Sequence, residues 1–285
     1  MLSFTEVMIR NCVERLQAAY CQTYGNVKPD YAELIGWVAN VALGQIANSD
    51  ALYHNVEHTI LVTLVGQEVL RGKQICEGCI SCEDWLHSII SWLCHDIGYV
   101  RGICQDDRKD QRLYAIGLER MMIALPQEAT DASLTPYHVD RGKLFIKEYF
   151  GSHPLINVDV VKCNIELTRF PVPANDYYKD TENYPGLTRA ADLIGQLSDL
   201  RYLKKIPALF YEFKETGANK TLGYRNPGDL RRNFPYFYRN VVFKYIQPAL
   251  NYLKVTEAGQ QIIANLHANV FQVEQENRTN TVMVR

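Results

Sequence analysis

Segment 84–97, DWLHSIISWLCHDI, is apolar on most of its faces, and no other stretch constrains the fold as strongly. A helix that is apolar all round belongs in the middle of a structure, covered on every side. It nevertheless ends on His95-Asp96, followed by Gly98. An aspartate in that setting is expensive to bury as an unpaired charge. The chain must therefore provide a shell of covering elements and also a partner for a buried carboxylate.

Helical periodicity supplies the shell. Segment 5–23 spaces Val7, Met8, Cys12, Leu16, Ala19 and Tyr20 three and four apart, and 31–47 repeats the pattern through Leu34, Ile35, Val38, Val41 and Ala42. Segment 54–71 continues it with Val62, Leu64, Val65, Val69 and Leu70. Further helices are expected over 108–125, 137–150, 156–168, 186–198, 200–215, 229–252 and 255–273, whereas period-two alternation never persists between turn residues. The expected fold is all-α, a compact multi-helix bundle forming one domain over 1–273, with a polar tail at 274–285 that frays. At 285 residues such a domain buries a substantial core.

With 30 basic against 32 acidic side chains the chain has no general attraction to nucleic acid or an anionic membrane, so any anion site is local. No apolar run approaches the roughly 18 to 20 residues of a membrane span. Glu6 and Arg10 interrupt the stretch where a signal peptide would be apolar, so a cytoplasmic protein with its eight cysteines as thiols is expected. Cys76, Cys79 and Cys82 have a C-x-x-C-x-x-C spacing. That spacing admits zinc or an iron–sulfur cluster if a fourth ligand such as Cys104 arrives; the alternative is a surface turn of small residues. Three prolines in 170–185, FPVPANDYYKDTENYP, forbid a continuous helix, which leaves a loop: either an active-site rim or an exposed linker. The Tyr- and Phe-rich 234–245 stretch offers an apolar contact surface for a homo-oligomer.

Three features carry chemistry. His54 and His58, four apart, would share one face of a helix. His95-Asp96 ends the buried helix. Asp192 lies among small residues in TRAADLIG, where helices can approach closely enough to share ligands. Imidazole nitrogen with carboxylate oxygen suits Mg, Mn, Zn, Fe or Ni better than soft copper. His58, His95, Asp96 and Asp192 could then bind a divalent ion from three helices, with open positions for water and with Asp96 able to bridge to a second ion. The general expectation is metal-assisted hydrolysis.

The order His, His-Asp, Asp resembles HD-domain phosphohydrolases, and YHNVEHT at 53–59 is similar to the signature of class I cyclic nucleotide phosphodiesterases. The likeness covers roughly 51–198, and the 37-residue separation of His58 from His95 is typical of those enzymes. It implies a small-molecule phosphoester substrate, a nucleotide or cyclic nucleotide, hydrolysed by a metal-activated water. By the same resemblance His54 is a general acid and His58, His95, Asp96 and Asp192 hold one or two divalent ions. Thr168 would bond a metal-bound water, or simply end a helix. Arg169 would meet phosphate, or stay solvated. Gln247 would read the substrate's base.

Tyr99 departs from the pattern, standing where the phosphodiesterases have a histidine, and this puts the water shell of a second metal in question. His138 is a candidate ligand for that second metal. His153 reads as a loop residue, His87 as structural and His267 as a surface or interface residue. Two alternatives share the scaffold. One is a di-iron oxygenase resembling myo-inositol oxygenase, completed by His138 and His153. The other is a non-catalytic HD module that binds a ligand, against which the intact His-Asp pair argues.

Overall fold

A computed structural model describes residues 3–283, with side chains through residue 279. The fold is all-α. The first half of the chain forms α1 (Phe4–Tyr24), α2 (Asp30–Ile46), α3 (Val56–Glu77), α4 (Cys82–Cys94), α5 (His138–Phe150) and α6 (Val158–Glu166). The second half forms α7 (Tyr184–Leu197), α8 (Tyr202–Thr216), the short α9 (Ala218–Thr221), α10 (Pro227–Phe237), α11 (Phe243–Leu253) and α12 (Glu257–Met283). Among the described residues the strands are β1 (Leu113–Ala115) and β2 (Met122–Ala124).

Local chemistry starts the helices. Ser3 with Glu6 and Ser81 with Asp84 form capping boxes on α1 and α4, and asparagines 55, 157, 183 and 226 cap α3, α6, α7 and α10. Each side-chain oxygen satisfies an amide the helix itself leaves unpaired. The apolar helix α4 sits as its composition demands, with Trp85, Ile89, Ile90, Leu93 and Cys94 fully buried and α2, α3, α6 and α7 packed around it. One contiguous apolar core extends from α1 to α12. No described helix is long and apolar enough to cross a membrane.

Two expectations fail, each for a tertiary reason. Segment 108–125 is not helical: it turns back as an antiparallel hairpin pairing Leu113 with Ala124, Tyr114 with Ile123 and Ala115 with Met122. Buried Asp107 holds that shape, accepting hydrogen bonds from the amides of Gly102 and Ala115 (both 2.8 Å) while pairing with buried Arg141 at 2.9 Å. The polar tail does not fray at 274, because α12 runs on to Met283. Val270 and Val273 are buried, and Glu276 accepts from Arg231 while Asn277 donates to the Arg232 carbonyl. The 234–245 stretch is partly covered: Phe234, Tyr238 and Val242 are buried, while Tyr236 and Phe243 stay exposed. There α10 continues through a π-helical turn, Tyr238–Val242, into α11.

The helices α3 and α7, which carry His58 and Asp192, pack directly on one another. Gly195 makes this possible: a Cβ there would lie 2.8 Å from the Val62 Cα, a backbone atom that cannot swing aside. Gly195→Ala is therefore expected to destabilise the protein by roughly 1–3 kcal/mol despite the better helix propensity of alanine, as urea unfolding would show. A variant as stable as wild type would mean the helices separate freely.

His87 offers a pH test of the packing of α4 on α6. Its Nε2 accepts the Asn157 amide at 2.8 Å, and burial holds its pKa below the ordinary 6.5. A depressed imidazole contributes stability that is full above 6.5 and lost as pH falls through the lowered folded value. His87→Gln keeps an acceptor without the titration. The stability gap between wild type and variant is expected to be constant above pH 6.5 and to move against wild type on acidification, by no more than about 1.4 kcal/mol per pH unit, the slope for one proton.

Candidate metal centre

Asn55 is the N-cap of α3, and its side chain accepts from the Glu57 and His58 amides. His54 therefore precedes the helix; it does not stack one turn from His58 on a shared face. The extended backbone at Asn55 still brings the rings together, with centroids 5.4 Å apart and planes at 82°. His95 caps the C-terminal end of α4, Asp96 opens a 3-10 turn over Ile97–Tyr99, and Asp192 projects from α7.

These elements converge. His58 Nε2 lies 3.2 Å from Asp96 Oδ2 and 3.4 Å from Asp192 Oδ1, and His95 Nε2 lies 3.1 Å and 3.7 Å from the same two atoms. Despite the short distances, the angles make no hydrogen bonds: His58 Nε2, His95 Nε2 and Asp96 Oδ2 are buried without a partner. Three orphaned polar atoms at one point are a costly arrangement. Ligands about 2.0–2.2 Å from a common ion sit about 3.0–3.6 Å apart, so the spacing suits donors to one cation as well as it suits His–Asp ion pairs. His95 Nδ1 is engaged by the Trp92 carbonyl at 2.7 Å, which leaves Nε2 as the donor nitrogen. Without a cation the carboxylates act on the imidazoles instead. Burial pushes the His58 pKa down, but Asp192 and Asp96 outweigh it and raise it to about 9; His95 is raised by Asp96 against the same opposition.

A second set of donors adjoins the first. His54, His58 and Asp96 bring ligand atoms within 4.8 Å of one another, and His138 Nε2 lies 3.9 Å from Asp96 Oδ1, the oxygen turned away from His95. His138 Nδ1 donates to the Thr135 carbonyl at 2.6 Å, and burial lowers the ring's pKa. Tyr99 is wedged between these histidines. Its ring stacks on His54 at 4.6 Å and 9°, and on His138 at 4.6 Å and 25°. Arg141 fixes the tyrosine's backbone by donating to the Gly98 and Val100 carbonyls at 2.8 and 2.9 Å. Gly98 itself admits α5, since a Cβ there would fall 1.8 Å from the His138 carbonyl oxygen.

Glu212, on α8, is a cavity-lining residue that sequence reasoning missed. Its Oε2 meets His54 Nδ1 at 2.5 Å, and its Oε1 accepts from the Tyr53 and His54 amides at 2.6 and 3.2 Å. Burial opposes ionisation of both partners, but each outweighs it for the other: the His54 pKa is raised and that of Glu212 lowered. The available signal was its place on the buried stripe of α8, three residues after Leu209 and six after Ile206.

His54, Asp96, Tyr99, His138, Asp192 and Glu212 all line one cavity of about 400 Å³. Thr168 reaches it too, with Oγ1 donating to the Ile165 carbonyl at 2.8 Å. Phe170 and Pro171 make the 170–185 segment part of the rim. The loop is held down by Arg189, which donates to the Tyr178 and Asp180 carbonyls.

Other expected site residues lie elsewhere. Arg169 is paired with Asp140 and Glu166, so its guanidinium is already committed. Gln247 is exposed on α11 and does not line the cavity, because that helix turns Ile246 and Leu250 inward; Gln196, on α7, is the glutamine that does. His153 stacks on Trp37 at 5.9 Å, away from the donors, and His267 contacts Tyr238. Cys76 and Cys79 face solvent while Cys82 and Cys104 are buried, and among the described residues no cysteine joins a ligand cluster. That run is the reversal between α3 and α4, capped by Gly78 and Ser81.

Residues 2–276 match the Npun_R2479-like family. The chain belongs to that family. Membership in the Npun_R2479-like family brings no activity with it, and no curated protein matches the chain. The donor cluster is therefore to be tested directly: Asp96→Ala is expected to abolish stoichiometric uptake of a divalent metal such as Mn or Zn, measured by elemental analysis after dialysis. Uptake equal to wild type would dismiss the cluster as a metal site.

Proposed function

We propose that this protein is a metal-dependent phosphohydrolase that cleaves a phosphoester with an activated water. The observation that carries the reading is the convergence of orphaned His58 Nε2, His95 Nε2 and Asp96 Oδ2 beside the cavity that His54 lines. The order and spacing of these residues, similar to those of HD-domain phosphohydrolases, support the same class, with nucleotides and cyclic nucleotides the substrates that resemblance implies.

When bound by His58, His95, Asp96 and Asp192, a divalent ion lowers the pKa of a bound water and neutralises phosphate oxygen. The remaining chemistry falls to the chain. Glu212 takes the Nδ1 proton of His54 into a hydrogen bond and favours the imidazolium, leaving Nε2–H for the cavity. Tyr99 lies flat on the ring and limits its rotation. As the water oxygen forms the new bond to phosphorus and the ester P–O bond breaks, His54 Nε2 protonates the departing alkoxide. The water proton passes to solvent, and neutral His54 is reprotonated from it. His138, with Nδ1 committed to the Thr135 carbonyl, leaves its Nε2 lone pair 3.9 Å from Asp96 Oδ1, where it could join Asp96 on a second ion. The oxygenase alternative loses support because His153 does not approach the donors.

His54→Ala is expected to retain metal but to slow hydrolysis of an alkyl ester such as butyl phosphate, whose alkoxide needs a proton to leave, by roughly 10²–10⁴-fold, the usual contribution of a general acid. Glu212→Gln is expected to fall between this variant and wild type. Wild-type rates in both, at equal metal content, would refute the assignment.

A further inference from the structure

The wall opposite the donors is unlike a site for polyanions. Among the described residues none of those lining the cavity is Lys or Arg. Its ionisable groups, apart from tyrosines, are His54, Asp96, His138, Asp192 and Glu212, and these belong to the one contact network around the donor cluster. The rest is drawn mainly from α8, α10 and the 170–185 rim and is largely hydrocarbon and aromatic ring, with Leu209, Phe213, Leu230, Phe234 and Phe237 and with Phe170 at the edge; its remaining polar atoms are the hydroxyls of four tyrosines and two threonines and two amides. Of the two amides on this wall, Asn233 already donates to the Tyr224 hydroxyl at 2.6 Å, and Gln196 is 3.5 Å from the Tyr202 hydroxyl.

We infer that the site takes an ester of a single phosphoryl group with an alcohol whose body is apolar. The inference rests on the phosphohydrolase reading for the phosphoryl group and on the cavity wall for the alcohol. One phosphoryl group can be neutralised at the donor cluster. A second or third, as in a nucleoside polyphosphate, would lie against phenyl rings without a counter-charge, and burying an uncompensated charge is heavily disfavoured. A cyclic nucleotide carries only one charge, but its ribose hydroxyl and base edge must find partners among hydroxyls and amides several of which are already engaged, those of Asn233, Tyr224, Thr135 and Thr168 among them. An alkyl or aryl group removes its own surface from water and that of the wall together. The volume, about 400 Å³, lies in the range of small-molecule sites and exceeds what phosphate alone needs.

Calorimetry on the manganese-loaded full chain tests this with hydrolysis-resistant ligands: methyl-, butyl- and octylphosphonate, α,β-methylene-ADP and a cyclic adenosine phosphorothioate. Affinity is expected to rise roughly two- to fourfold per added methylene, the gain for burying that group, and octylphosphonate is expected to bind at least tenfold more tightly than either nucleotide. A flat alkyl series, or a nucleotide binding more tightly than octylphosphonate, overturns the inference. Leu222, 41 % exposed at the rim, allows a charge test that spares the core. Leu222→Lys is expected to narrow the gap between octylphosphonate and α,β-methylene-ADP, and an unchanged ratio counts against the inference. Turnover of butyl and octyl phosphate separates the two claims. Graded binding without turnover defeats the phosphohydrolase reading and leaves the apolar selectivity standing. Turnover with no dependence on chain length defeats the selectivity alone.

Discussion

Two carboxylates and two imidazoles meet where α3, α4 and α7 come together, and three of their polar atoms have no hydrogen-bond partner. An apolar bundle tolerates such a cluster only if something compensates the charge, and the donor spacing suits ligands to one cation. Much of the surrounding architecture serves this meeting. Gly195 lets α7 approach α3, Gly98 lets α5 approach the turn that follows His95-Asp96, and the buried helix α4 provides the fixed base on which the turn is built.

A second constraint governs the orientation of the rings. His54, Tyr99 and His138 form a continuous stack, and the outer histidines are each tethered through Nδ1, one to Glu212 and one to the Thr135 carbonyl. Tethering one nitrogen decides which nitrogen remains for the cavity. Four separate parts of the chain thus hold one chemical surface: the turn before α3, the turn after α4, the start of α5 and the middle of α8. Tyr99, which departs from the phosphodiesterase pattern, becomes intelligible here as the wedge that keeps two imidazoles apart and parallel.

Much of the fold was legible in the sequence because helical periodicity is a local property. The covered position of α4 followed from its all-round apolarity, and the helices α1 and α2 followed from their apolar stripes. The errors arose where distant contacts overrode local preference. Nothing within 108–125 announces that Asp107 will be pinned by Arg141, and nothing within 274–283 shows that α10 will offer Arg231 to Glu276. Gln247 illustrates the complementary limit: a residue type in the expected region of the chain faces outward because helix phase, set by its buried neighbours, decides direction.

The sequence by itself determined that histidines and aspartates would be buried in a helical protein, because an His-Asp pair cannot leave the end of a helix apolar on every face. It also singled out His58, His95, Asp96 and Asp192 as residues to examine together, through their types and order. Only the tertiary structure decided that their atoms lie 3.1–3.7 Å apart, that His54 is served by Glu212 from 158 residues away, and that the cavity beyond them is walled by aromatic rings and lacks a cationic side chain among its described lining. Residue type and order are written position by position. Separation, ring orientation and cavity lining depend on how helices remote in sequence pack, and local pattern carries little information about that.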